Sequence, residues 1–230
     1  MSTNTLRYNS AVPAHASCEF CDEFCGGTRN AFAARYRKDL AHRIVFETRN
    51  FKVLPTLGQI VPGYLLFISA QHYRTLGDLP IAQLRELDKL AKGICERLLS
   101  LYGDYLLFEH GSRADSAGGC GIYHAHLHAV PFLRSNDPVQ QLKKTFPYDE
   151  IPELPALKHL GPDTSYLYYS DASGSQYVFH IEHLPSQYVR RLLAQAIGSD
   201  NWDWRQCGRE EGFLATLSDV SALLATSSAR

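Results

Sequence analysis

The chain has 230 residues, a formal net charge of −1, 45% hydrophobic and 20% charged residues, the balance of a folded protein with a sizeable core, and no apolar run reaches the roughly 20 residues of a membrane-spanning helix. A charge so near zero gives no general positive field, so nucleic-acid binding driven by long-range attraction is not expected, while a local basic pocket for a small phosphate compound stays open. Residues 1–14 are polar, contain Pro13 and lack the apolar stretch of a secretory signal. The expected location is therefore the cytoplasm, where the six cysteines are expected as thiols or metal ligands rather than as a disulfide framework.

Residues 1–17 read as a polar tail, and Cys18-Glu19-Phe20-Cys21 is the one Cys-x-x-Cys pair. Arg43–Phe46 and Phe51–Leu54 have the β-branched and aromatic content of paired strands joined by the turn Thr48-Arg49-Asn50. Pro62-Gly63 breaks the chain before Tyr64–Ile68, an apolar run that predicts a buried strand of the same antiparallel sheet. From Pro80 the period changes, because Leu84, Leu87, Leu90, Ala91, Ile94, Leu98 and Leu101 recur at three- and four-residue steps. That spacing lines one face of a helix able to cover the sheet. Tyr105–Phe108 predicts another strand, and the Ser-, Ala- and Gly-rich segment 111–121 predicts a flexible loop.

Beyond Pro131, Pro138, Pro147, Pro152, Pro155 and Pro162 interrupt long regular elements, so this region is expected to wrap around the first part. Tyr166–Tyr169 and Tyr177–Ile181 flank Asp171-Ala172-Ser173-Gly174 as a hairpin. Ser186 is a candidate cap for a helix through Val189, Leu192, Leu193, Ala196 and Ile197, and Leu214 to Leu224 predict a last amphipathic helix.

Residues 122–130 alternate. A period of two sends Tyr123, Ala125, Leu127 and Ala129 to one face of a strand and His124, His126 and His128 to the other. The apolar face can enter the core while three imidazoles line a pocket. A histidine-rich surface strand would produce the same letters without function, and three imidazoles can also share a metal ion; spacing alone separates neither from catalysis.

The segment His124-Ala125-His126-Leu127-His128-Ala129-Val130 resembles the motif of the histidine-triad superfamily, His-x-His-x-His followed by two apolar residues. Pro62 to His72 is similar to that family's core strand ending in a histidine, and Cys18-Glu19-Phe20-Cys21 resembles the cysteine pair of its zinc-containing bacterial members. The resemblance spans residues 18–133. It implies an α+β fold and nucleophilic catalysis, in which His126 attacks a nucleotide's α-phosphorus to form a covalent nucleotidyl-histidine and His128 contacts the phosphoryl oxygens. It also implies a structural zinc held by Cys18, Cys21, His72 and His124, as in those members and in the related galactose-1-phosphate uridylyltransferases. Cys25 is a substitute ligand to consider.

The chain departs from that pattern in places. Thr56 stands where many members carry a ribose-binding aspartate, Gly121 stands where many have a serine or threonine, and Glu109-His110 replace frequent asparagines. Thr56, Asn50, His110 and Gly121 are the candidate substrate-binding residues, and a segment similar to the C-terminal extension of one bacterial branch adds Arg190. Arg190 and its neighbour Arg191 diverge by about 100° on a helix, so at most one enters a given pocket. Trp202 and Trp204 are expected as packing anchors.

The expected organisation is a catalytic domain over 18–133, with 134–230 an α/β extension packed on it. Many relatives join two sheets across a dimer, so a homodimer is an open expectation. The expected substrate is a small nucleotide, and the expected activity that of a hydrolase or nucleotidyltransferase. Phosphorolysis of dinucleoside polyphosphates and non-catalytic nucleotide binding are the alternatives.

Overall fold

A computed structural model describes residues 18–113, 121–132, 134–206 and 210–225. The N-terminal tail, Cys120, Cys207 and loop residues 114–120 lie outside them. The described chain builds one eight-stranded antiparallel sheet in the order β1-β2-β3-β5-β4-β7-β8-β6. Strands β1 (Phe46–Glu47) and β2 (Phe51–Pro55) form the hairpin expected around Thr48-Arg49-Asn50, where the Thr48 hydroxyl accepts from the Asn50 and Phe51 amides. Strand β3 (Leu65–Ser69) follows, and the later β5 (His126–Pro131) inserts between it and β4 (Tyr105–Gly111).

The sheet has two apolar faces, which is why β3 and β5 are buried along their whole length. On one face lies α3 (Ile81–Tyr102), whose Leu84, Leu87, Ala91, Ile94 and Leu98 pack on Phe51, Val53, Leu65, Phe67, Ala125, Leu127 and Ala129. Burying one such leucine stabilises the fold by about 1.5–3 kcal/mol, and Leu87→Ala would cost about 2–5 kcal/mol once the cavity is included. The helix ends at Gly103, whose φ of +82° only glycine adopts without strain.

The other face is covered by shorter pieces, most of which the sequence pattern did not reveal. These are α1 (Glu19–Phe24), α2 (Ala31–Tyr36) and α4 (Val139–Thr145), together with α5 (Tyr188–Ala196), whose apolar face was read correctly. A last helix, α6 (Glu210–Ala225), packs Val220 and Leu224 on the α3 side.

The later region continues the sheet. Strand β7 (Tyr166–Ser170) pairs with β4 through Leu107↔Ser170 to Gly111↔Tyr166, β8 (Gln176–His180) pairs with β7, and β6 (Tyr148–Ile151) closes the far edge. Residues on either side of position 133 therefore share one sheet. Ser186 does not cap α5: the cap position is Gln187, held at φ +58°, with no side-chain capping bond. Its amide is used across the fold, donating to Asp203 Oδ1 and accepting from the Trp204 backbone. A non-glycine residue in this region costs about 1–3 kcal/mol, and these two bonds hold it there.

Candidate active site and metal-binding cluster

Antiparallel pairing fixes where the histidines go. In the register Leu66↔His128 and Phe67↔Leu127, Leu127 and Ala129 of β5 face α3 while His126, His128 and Val130 face α1 and the C-terminal half. Both imidazoles are buried. His128 stacks flat on Phe108, its cross-strand partner, with ring centroids 4.2 Å apart and planes 5° apart, and its Nδ1 lies 2.7 Å from the Tyr64 hydroxyl. The two contacts fix the ring's plane and its rotation about that plane.

His126 is held differently. Its Nδ1–H donates to the main-chain carbonyl of His124 at 2.5 Å. A carbonyl can only accept, so Nδ1 carries the proton and the lone pair is on Nε2. Phe20 from α1 meets the imidazole edge-on at 5.4 Å, and the His128 ring lies 4.8 Å away.

The two histidines open onto a pocket that also touches Thr56, Ile122, Arg190 and Trp204. Its walls include Phe20, Phe32, Glu19 and an ion pair in which Arg43 grips Glu23 through two 2.8 Å bonds. Composition hid most of these groups. Phe20 and Glu23 sit inside and just after the cysteine motif, Arg43 lies in a segment read as strand, and Trp204 was read as packing only. A signal for Tyr64 was present: it is the hydroxyl-bearing residue that opens the apolar run leading into β3.

His124, His126 and His128 do not converge on a common point. His124 turns to the cysteines: Cys18 Sγ lies 3.3 Å and Cys21 Sγ 3.6 Å from its Nδ1, and Cys21 Sγ lies 3.3 Å from His72 Nδ1. The ligand atoms of Cys18, Cys21, His72 and His124 all fall within 4.8 Å of one another. A tetrahedral zinc with bonds of about 2.3 Å to sulfur and about 2.0–2.1 Å to nitrogen would separate its S and N ligands by about 3.6 Å, so the cluster has the right size and donor chemistry. The His124 Nε2–H donates to the Ser69 carbonyl at 2.8 Å, which leaves Nδ1 as the metal-facing nitrogen. Cys25 is exposed and stands outside the group.

The remaining candidates are scattered. Thr56 lines the pocket, with its hydroxyl donating to the Leu57 carbonyl. Asn50 does not: it sits in the β1–β2 turn and donates to Glu86 of α3, because the turn and that helix share the opposite side of the sheet. His110 lies two residues along β4 from Phe108, with its ring 6.4 Å from that of His128, outside the pocket walls. Gly121 has φ +82°, and a Cβ there would collide with the Arg205 guanidinium, so a serine or threonine at this position would displace Arg205. Of the adjacent arginines, Arg190 enters the pocket, while Arg191 stacks on Trp202 at 3.8 Å.

No family model and no curated protein matches the sequence. Among solved structures, the chain is similar to a hypothetical histidine triad nucleotide-binding protein from Sulfolobus tokodaii, at 22% identity and TM-score 0.35, covering 44% of this chain and 66% of that one. The solved structures it resembles are histidine-triad proteins. A zinc-bound histidine triad family protein from Mycobacterium smegmatis is 22% identical with TM-score 0.39, covering 51% of this chain and 76% of that one. A HIT family hydrolase from Legionella pneumophila is 25% identical with TM-score 0.32, covering 44% and 89%. The chain thus spans just under two thirds of the Sulfolobus protein, and each alignment reaches about half of this chain. No described helix is long and apolar enough to cross a membrane.

Proposed function

We propose that this chain is a histidine-triad enzyme that transfers or hydrolyses a nucleotidyl group through a covalent bond to His126. One observation carries the reading: the His124 carbonyl fixes the proton of His126 on Nδ1, so the lone pair lies on Nε2, the tautomer a nucleophile needs. Nε2 forms a bond to phosphorus as the bond from phosphorus to the leaving-group oxygen or nitrogen breaks. Water or another acceptor then displaces the imidazole and takes the nucleotidyl group. Splitting one displacement into two lowers each barrier. His128, anchored by Tyr64 and Phe108, is the adjacent donor for the phosphoryl oxygens as charge builds there.

The aromatic walls Phe20, Phe32 and Trp204 suit a planar base, and the buried Arg190 suits phosphate. Cys18, Cys21, His72 and His124 would hold a structural zinc. Bound there, it would tie α1 to the strand that carries His126, and its chemistry would be that of a cross-link. The names of the similar proteins, nucleotide-binding, zinc-bound and hydrolase, agree with this reading.

Incubating the purified protein with nucleoside phosphoramidates, dinucleoside polyphosphates and nucleotide esters, then measuring intact mass, tests it. A nucleotidyl adduct present in the wild type and absent from His126→Ala is expected. Turnover that persists in His126→Ala would overturn the mechanism.

A further inference from the structure

Arg190 is the largest side chain that the fold buries completely, at 1% exposure. Two of its nitrogens are spent on the main chain: Nε donates to the Trp202 carbonyl at 2.8 Å and Nη2 to the Gly58 carbonyl at 2.5 Å. The third, Nη1, is buried with no hydrogen-bond partner among the described residues, and no carboxylate there forms an ion pair with the guanidinium. The nearby Asp203 carboxylate attracts the guanidinium through space, but the hydrogen bonds it accepts come from Gln187 and the Arg205 amide, both at Oδ1. A buried cation with an unsatisfied donor is expensive and is normally compensated by an opposite charge.

The position of this charge matters as much as its isolation. Arg190 lines the pocket of His126 and His128 and lies over the Tyr64 ring, 5.3 Å from its centroid, while the Tyr64 hydroxyl holds His128. The other charges on the pocket wall are already engaged, Arg43 with Glu23 and Glu19 with the Ala31 amide. Arg190 is therefore the cation of this wall that still has a donor for a partner from outside. Its guanidinium, with two of its nitrogens already fixed, is preorganised to give a phosphate oxygen a charge-assisted bond at little entropic cost.

We infer that Arg190 is a substrate-binding residue whose Nη1 holds a phosphate oxygen in the His126 pocket, so that the C-terminal half of the chain supplies the charge recognition. The inference rests on the nucleotidyl reading for the identity of the site. It makes the ligand class a phosphate ester with a planar ring, bound between Arg190 and the aromatic wall. It also assigns a role to the left-handed Gln187, which ties the start of α5 to the loop bearing Trp204 and so sets two sides of the pocket together.

The test is the affinity of the full-length protein for AMP and for adenosine, compared between wild type and Arg190→Gln by calorimetry. At least a tenfold loss for AMP is expected, with adenosine affinity within twofold. Equal losses for both ligands, unchanged AMP affinity, or failure of the wild type to bind either AMP or inorganic phosphate would overturn the inference. Because Arg190 also supports two carbonyls, a second measurement uses the wild type alone. The 15N–1H guanidinium signal of Arg190, identified by its loss in Arg190→Lys, should shift on titration with inorganic phosphate; a signal unmoved while those of His126 and His128 shift would also overturn it. Arg190-dependent AMP binding without a covalent adduct would keep this inference and remove the covalent mechanism. An adduct forming with unchanged KM in Arg190→Gln would do the reverse.

Discussion

The carbonyl oxygen of His124 lies 2.5 Å from Nδ1 of His126, and the His124 imidazole lies against Cys18 and Cys21. One residue thus belongs to the metal-binding cluster through its side chain and to the nucleophile through its backbone. Disturbing the cluster should reach the reaction through two bonds of main chain.

For His126→Ala, kcat is expected to fall by several orders of magnitude, as removal of a covalent nucleophile does, with AMP affinity changed little. The melting temperature should stay within a few degrees. A kcat within tenfold of wild type would contradict the role given to His126.

Metal content gives an independent check. Elemental analysis should find about one zinc per chain, and Cys18→Ser should lower zinc content, melting temperature and kcat together. Prolonged chelation should have the same effect, because a metal bound to the native state and lost from the unfolded one stabilises by mass action. Metal-free protein with an unchanged melting temperature would contradict the cluster's structural role.

Tyr64→Phe removes the hydroxyl beside His128 Nδ1 and leaves the ring that packs under Arg190. Loss of one such bond costs about 0.5–1.5 kcal/mol, so kcat should drop about threefold to tenfold with KM nearly constant. If KM alone rises, Tyr64 serves binding rather than the orientation of His128.

Thr56 lines the pocket with its one hydroxyl proton directed at Leu57. A carboxylate accepts from both ribose hydroxyls with charge-assisted bonds, and Thr56 cannot match that. The ratio of kcat/KM for a ribonucleotide over its 2′-deoxy analogue should be below about tenfold, equivalent to about 1.4 kcal/mol. A ratio of several hundred would mean that another pocket group, such as Glu19, reads the sugar.

The tyrosines predict a loss of stability in alkali. Burial pushes the Tyr102 hydroxyl up to about 12, with its hydrogen bond to Asp219 adding to the rise, and burial also raises Tyr166, Tyr168 and Tyr169. An unfolded tyrosine titrates near about 10. Above that pH the unfolded chain releases protons that the native chain keeps, so fewer protons are bound in the unfolded state and stability falls as pH rises. Their contribution is complete below about pH 10 and disappears as the pH climbs through 12 and beyond. Urea midpoints should fall at pH 10 and 11, less steeply in Tyr168→Phe, with the decline starting near pH 9 because burial also pushes the Cys95 thiol up to about 12; a series flat to pH 11 in the wild type would refute the assignment.

The sheet was legible because burial imposes period two on β5 and continuous apolarity on β3, and α3 was legible because its five core contacts follow the helical repeat. Helices α1 and α2 have six residues each, too few for a period to emerge. The insertion of β5 between β3 and β4, and the pairing of β7 with β4, depend on contacts between distant segments that no local pattern encodes. The same holds for the site. His126 and the four-residue cluster carry motifs, whereas Arg43 and Trp204 reach the pocket through tertiary packing alone. Asn50 was chosen for its residue type, and its turn lies on the α3 side of the sheet.

The seam between β4 and β7 also governs how the chain tolerates being cut. In the intact sheet the outermost strands are β1, only two residues long, and β6, whose outer residues include Asp149 and Glu150. Short and charged borders resist adding foreign strands. A chain severed between Phe132 and Pro138 and stripped of its later half would instead bare the backbone of β4 from Leu107 to Gly111, the stretch that β7 pairs with. That stretch is mostly buried, and its uncovered amides and carbonyls would form a template for self-association. An expression boundary drawn after the histidine motif would therefore cut through the middle of the sheet, one strand away from β5.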